Sequence, residues 1–302
     1  MDVVISGSSG LVGAALTAEL RDRGHTPIPL VRRDGRDGER AISWDPDAGT
    51  IDHEALEGVD AVVHLAGENI GARRWTDAQK AKILSSRTRG TTLLAEALVG
   101  LDARPSVFVS ASAVGYYGDR GDEILTEHSD PGDDFVANVC VRWEACSRLA
   151  AAAGIRTVNI RSGVILDTSE GALARQLLPF KLGIGGRIGS GRQWQSWISL
   201  ADEVGAICHL LDADVEGPVN LTVPEPVRNE EFTKTLGRVL RRPTLIPIPV
   251  FAPAVLYGRE LVESLLLVSQ RALPSVLTSN GYEFRHTSLE PALRDILDRP
   301  ER

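Results

Sequence analysis

Three glycines at a spacing of three, Gly7, Gly10 and Gly13 in "GSSGLVG", follow the apolar run "DVVIS" and open the helical pattern "LVGAALTAELRDRG". Strand, glycine turn and helix N-terminus in that order make a cradle for a pyrophosphate. Glycine permits the tight turn and the close backbone approach, and the helix supplies N–H groups and its positive dipole end. Ser8, Leu11 and Val12 complete the turn. The end of the next strand-like run, "TPIPLVRRDG", chooses between dinucleotides. An acidic residue there accepts from the ribose hydroxyls of NAD, whereas arginine meets a 2′-phosphate. Arg32 and Arg33 stand at that point, with Asp34 behind them. The pair predicts NADP(H), bound more tightly than NADH.

The elements that must hold this cradle alternate strand and helix, the pattern of a doubly wound parallel sheet of Rossmann type, class α/β. The first helix places Leu11, Ala15, Leu16 and Leu20 on one face and stops at Gly24. "TPIPLVR" reads as a second strand despite its proline. "DAVVHLAG", "SVFVSASA" and "RTVNIRSGVIL" follow as third, fourth and fifth, and "TLLAEALVGL" is a helical face. Beyond about residue 165 the texture changes to a glycine-rich loop, a helix and "PVNLTV". Residues 1–165 are thus the expected dinucleotide-binding domain, with 196–225 returning to it. Residues 166–195 and 226–302 form a smaller substrate-side module, whose last fifty residues are apolar enough to pack on the main body. With 302 residues the chain can bury a large core.

A formal charge of −8 argues against nucleic acid and an anionic membrane as partners. No run reaches the length of a spanning helix. Cys140, Cys146 and Cys208 lack metal-ligand spacing and, without a secretion signal, are expected as reduced thiols in the cytoplasm. Six histidines show no HExxH or paired spacing. No metal is predicted, and His64 reads as a core residue of the third strand.

In order, "GSSGLVG", "VVHLAGENI", "SASAVGYYG" and "SWISLADEV" resemble the extended short-chain dehydrogenase/reductases, which include nucleotide-sugar epimerases. "WDPDAGTID", "HLAGENIGARRW", "VRWE" and "IGSGRQWQSWI" narrow the resemblance to the atypical subgroup known as epimerase family proteins, which carry a C-terminal domain of unknown function, here about 245–295. The match runs from the first strand to about Leu293. The resemblance implies that Leu65, Ala66 and Gly67 pass under the adenosine and the nicotinamide ribose. It implies that Glu68 and Arg73 are cofactor-side polar residues, and that Ser162 to Val164 cover the nicotinamide end. The subgroup has no settled substrate.

Ordinary members of that family transfer a hydride while a tyrosine handles the proton. A lysine one helical turn later lowers the tyrosine's pKa, and a serine and an asparagine complete the set. Here the serine position is kept as Ser112. The asparagine position of "SSRTRGTTLL" aligns best with Arg87. The tyrosine and lysine positions fall on Val139 and Trp143 of "VCVRW", and no shift of register creates either residue in "FVANVCVRWEACS". Three readings stay open. Tyr116 or Tyr117, at the end of the Ser112 strand, supplies the proton (Cys140 and Glu144 being weaker candidates). Alternatively, water supplies it, with Arg87 stabilising developing negative charge. In the third, the chain binds NADPH without chemistry, as a sensor or scaffold.

The loop "GGRIGSGRQWQSWISLADEV" resembles the substrate segment of extended members. Gln193, Trp194, Ser196 and Trp197 offer hydrogen bonds and a flat apolar wall to a small-molecule substrate, and Arg187 and Arg192 suit an anionic one. Trp197 can equally be a packing anchor before an N-capped helix, with Ser199 as cap. The oligomeric state is open, because the helices that pair in dimeric relatives are the altered ones.

Overall fold

The computed structural model describes residues 1–32 and 40–298. Arg33 and Asp34 therefore lie outside the described residues. Strands β1 (Asp2–Ser6), β2 (Thr26–Val31), β3 (Ile42–Asp45), β4 (Thr50–Ile51), β5 (Ala61–His64), β6 (Val107–Ala113), β7 (Ile124–Leu125), β8 (Arg156–Ser162), β9 (Val164–Leu166), β10 (Trp194–Gln195), β11 (Trp197–Ser199), β12 (Gly217–Leu221), β13 (Val227–Arg228) and β14 (Arg271–Ala272) run along the chain. The helices are α1 (Leu11–Asp22), α2 (His53–Leu56), α3 (Asp77–Val99), α4 (Phe135–Ala152), α5 (Gly171–Lys181), α6 (Leu200–Asp212), α7 (Asn229–Leu240), α8 (Phe251–Tyr257), α9 (Arg259–Val262), α10 (Ser275–Ser279) and α11 (Leu289–Ile296).

One eight-stranded sheet runs β12-β8-β6-β5-β1-β2-β3-β4, parallel except for the β3–β4 pair. Its strands are apolar without alternation because both faces are covered: α1 and α6 pack on one, α3 and α4 on the other. This is the doubly wound Rossmann-type α/β sheet that the alternation implied. The expected third and fourth strands are β5 and β6; the short β3 and β4 come before them, between β2 and β5. The expected fifth strand is divided, since after Ser162 the chain leaves the sheet and pairs Val164–Leu166 with Trp197–Ser199. Both Pro27 and Pro29 fit inside β2. Thr26 N donates to Met1 O, which points alternate N–H groups toward β1, and pairing with β3 begins only at Leu30. The prolines' missing donors therefore face no acceptor strand.

Beyond β9, α5, α7 and α11 share a separate core around Trp197, Phe232 and Leu293. This unit is fastened to the sheet at Asp202, in the first turn of α6. Its buried carboxylate accepts from Ser199 Oγ (2.7 Å), Arg285 N (2.7 Å) and His286 N (3.0 Å), and Tyr282 Oη reaches Oδ1 at 3.3 Å. The apolar C-terminal stretch does not pack throughout, as its composition suggests. Leu245 is 89 % exposed, and α8, "FAPAVLY", has no buried side chain.

Candidate active site

Register brings the candidate residues to one end of the sheet. Ser6 is level with His64, His64 with Ser110, and β6 continues three residues further beside β8, pairing Ser112 with Arg161. Gly7 turns the chain at φ +70°, and a Cβ on it would lie 3.0 Å from Ala66 N. Gly13 is tighter still, its hypothetical Cβ 2.2 Å from Gly7 O. The loop is thus folded against the Leu65–Ala66 backbone, and no side chain fits between them. Gly10 caps α1 without a side-chain hydrogen bond, and no acidic residue lies in its first turn. Those N–H groups are left for an anion. The residues present therefore fit a dinucleotide pyrophosphate.

The floor beneath is polar. Ser6 Oγ accepts from Leu65 N (3.1 Å) and Ala66 N (3.2 Å), so its own proton goes to His64 Nδ1 at 2.6 Å. Burial, and the Arg87 charge nearby, push His64 down to about 3, so it is a neutral core imidazole that braces the turn. Arg32 is exposed at the end of β2 with no partner among the described residues.

Arg87, on α3, is half-buried and reaches back to the "HLAGEN" loop. Nη1 donates to Glu68 O (2.9 Å) and Ile83 O (3.1 Å), and the guanidinium carbon lies 4.8 Å from the Trp143 ring centroid. Trp143 donates to Thr91 Oγ1 at 2.9 Å. The residues at the altered asparagine and lysine positions thus stack on each other. Val139, one turn earlier on α4, is buried in the same wall. Glu68 is held below the usual carboxylate range by hydrogen bonds from Gln79 and Lys82, while Arg73 is exposed and Gly67 lies against Arg87.

Ser112 and the two tyrosines occupy unlike environments. Ser112 Oγ donates to Glu144 Oε1 at 2.7 Å. Glu144 in turn holds Arg161 bidentately, Nε to Oε1 at 2.8 Å and Nη2 to Oε2 at 2.9 Å. Arg161 is buried, and although burial opposes its charge, the Glu144 carboxylate leaves it above its ordinary pKa. Arg161 Nη1 also donates to Tyr117 Oη (3.0 Å), which donates to Asn220 Oδ1 at 2.7 Å. Tyr117 is wholly buried, and burial pushes its hydroxyl up to about 12. Tyr116 is half-buried. The Arg161 guanidinium carbon sits 3.4 Å from its ring centroid, and its hydroxyl has no hydrogen-bond partner among the described residues. Cys140 is buried, which pushes its thiol up to about 12. Arg161 had no sequence signal: a lone arginine inside an apolar strand pattern, 45 positions from Tyr116, is legible only once β6 and β8 pair.

On the substrate side, Trp197 is 1 % exposed and packs in the second core, its Nε1 donating to Glu225 O. The flat wall expected of it gives way to the packing anchor, because α6 begins immediately behind it. Ser199 caps α6 by accepting from Asp202 N, as expected. Gln193 is buried, its amide donating to Ile188 O and Leu266 O. Ser196 is buried and donates to Gln270 O. Trp194 is half-buried between the guanidinium groups of Arg228 (4.6 Å) and Arg271 (4.5 Å). Arg187 curls onto Gly189 O and Ser190 O of its own loop. Val164 lies half-buried at the start of β9. Beside it, Ser162 Oγ donates to the buried Glu203 Oε1 at 2.5 Å, and burial raises Glu203 to about 8. Among the described residues no group of three or more His, Cys, Asp or Glu is placed to hold a metal, and no helix is long and apolar enough to cross a membrane.

The model of the NAD dependent epimerase/dehydratase family matches residues 3–223, and that of a domain of unknown function, DUF1731, matches 248–296. Epimerase family protein Mb2239 of Mycobacterium bovis is 44% identical over 299 residues, 99% of this chain and 98% of that one. The crystal structure of human epimerase family protein SDR39U1 with NADPH superposes with a TM-score of 0.90 at 36% identity, covering 99% of this chain and 100% of the human one. A nucleoside-diphosphate sugar epimerase from Corynebacterium glutamicum gives 0.80 at 39% identity, covering 98% of this chain and 58% of that one.

Proposed function

The chain belongs to the NAD dependent epimerase/dehydratase family, and from that premise we propose an NADP(H)-binding oxidoreductase or epimerase-like protein acting on a small carbonyl or sugar-like substrate. Residues 1–165 with 196–225 hold the cofactor, and 166–195 with 226–302 shape the substrate side. The glycine cradle, the free Arg32 and the NADPH bound to the human relative support the cofactor reading. Three unpaired cysteines suit a cytoplasmic setting. When bound, the reduced nicotinamide supplies a hydride to a carbonyl carbon.

The chain's own task is the proton on the carbonyl oxygen. The observation that carries the assignment is the contrast between the two tyrosines. Tyr117 is locked between Arg161 and Asn220, whereas the Tyr116 hydroxyl is unengaged and its ring is held by Arg161. Tyr116 is therefore the proton donor. Arg161 is its positioning residue, stacked on the ring face where ordinary relatives place a lysine beside the hydroxyl. Arg87 turns its charge toward the same wall. Tyr116→Phe should lower single-turnover oxidation of NADPH by an aldehyde and quinone panel by about 10²–10⁴-fold, with NADPH affinity unchanged. Tyr117→Phe should retain turnover. An active Tyr116→Phe protein would overturn the assignment. A wild type that binds NADPH yet turns over no acceptor would favour a non-catalytic sensor, the reading that the sealed Val139–Trp143 wall supports.

A further inference from the structure

We infer that the substrate entering beside Tyr116 is an uncharged, apolar carbonyl compound and not a nucleotide-sugar; the inference rests on the reading of that cleft as the substrate site. Eight of the ten exposed large apolar side chains among the described residues fall in two segments, 178–184 and 245–256. The segments are joined. Ile188 bridges to Ile248, Gly186 abuts Ile246 O, and Arg175 of α5 lies 5.9 Å from the ring of Tyr257 at the end of α8. Leu178 and Leu182 follow Arg175 at helical spacing and continue that exposed face of α5.

The surface borders the site through a shared apolar core. Tyr257 and Leu265 are half-buried against the cluster of Leu261, Val136 and Cys140, which Tyr116 and Ile70 also join. Tyr116 and Tyr257, at the end of α8, thus pack on one shared apolar cluster, which brings the exposed side chains of α8 next to the proposed proton donor. That adjacency identifies the occupant, because a patch lying apart from the cleft would fit a protein partner equally well.

Charge points the same way. A diphosphate needs converging, unengaged cations. Arg187 is spent on its own loop, Arg228 donates to Asp122 at 2.8 Å and to Arg192 O, and Arg175 donates to Gly71 O. Arg192 shares Asp122 with Arg228, which leaves beside Trp194 the buried Nε of Arg271 as a single unpartnered guanidinium donor among the described residues, fewer than a diphosphate needs.

The test is binding, not turnover. With NADP⁺ bound, ketones are not reduced, so 2-butanone, 2-hexanone and 2-octanone can be titrated calorimetrically alongside UDP-glucose. Affinity should rise about fourfold per added methylene, and UDP-glucose should not bind. Val255→Glu, at a position 74 % exposed and so tolerated by the fold, should weaken 2-octanone at least tenfold while NADP⁺ binds as before. Affinity independent of chain length, or UDP-glucose binding without ketone binding, would overturn the inference. So would a dimer that Val255→Glu dissociates with no change in ketone affinity, since a second copy would then be the occupant. Loss of NADP⁺ binding itself would sink the cofactor reading, which is measured separately.

Discussion

Glu203 makes the fold's stability depend on pH in a direction opposite to that of most carboxylates. It lies in the first turn of α6, almost wholly buried, with Ser162 as partner of Oε1 and no partner for Oε2 among the described residues. Burial raises it from 4.5 to about 8. Between those values the folded protein keeps a proton that the unfolded chain has released, so stability falls as pH rises through the window and levels off above about 8. At about 1.4 kcal/mol per pH step, the full loss is on the order of 5 kcal/mol, most of it between pH 5 and 8. Glu203→Gln keeps the shape and an acceptor for Ser162 but cannot ionise. Urea unfolding followed by tryptophan fluorescence at pH 5, 6.5, 8 and 9 should show the variant gaining on the wild type as pH rises. By pH 8 the relative midpoint should have moved by about 1 M, at a slope of about 3 kcal/mol/M. Other titrating groups are common to both proteins and cancel in the comparison. A difference that stays constant from pH 5 to 9 would refute the protonated, buried acid.

Charge reversal at Arg32, alone and with Arg33, should abolish a preference for NADPH over NADH by at least about tenfold, from the loss of a charge-assisted phosphate contact; equal affinities of the wild type in calorimetric titration would remove the premise. Glu144→Gln should destabilise the fold by about 3–5 kcal/mol in denaturant unfolding, because Arg161 would keep its charge in a buried place without its counter-ion. Pairing that variant with Arg161→Met should recover much of the loss, and a double mutant no more stable than Glu144→Gln would show that the pair is not the cause.

The sheet was legible because its strands are unbroken apolar runs between turn signals, and the glycine cradle because its conformation admits so few side chains. Strand β3 was not, since "ISWD" is short and lies among charged residues. The first half of α3 also hid, its polar "DAQKAKILSS" facing solvent on one side and announced only by the Thr76 cap. At the site, the serine position was legible as Ser112, but Glu144 read as a weaker proton-donor candidate, with nothing to show that it would pair with Ser112 and Arg161. Glu203 was masked in the same way, since an acid in the first turn of a helix is ordinary at an exposed N-terminus. Sequence pattern reports which residues share an element. It does not report which helix end the rest of the chain will cover, and Arg161, Glu144 and Glu203 all depend on that.

The fastening at Asp202 bears on how this architecture can be recombined. Its carboxylate belongs to the helix that covers the sheet, yet three of the groups that satisfy it come from Tyr282, Arg285 and His286, near the other end of the sequence. Cutting the chain before Tyr282 would strand a buried carboxylate at a cost of several kcal/mol on the helix that covers the sheet. The C-terminal region is therefore not a cassette to be exchanged between relatives. A chimaera would keep its packing only if host and graft share both halves of this carboxylate's shell, so the two parts are bound to diverge together.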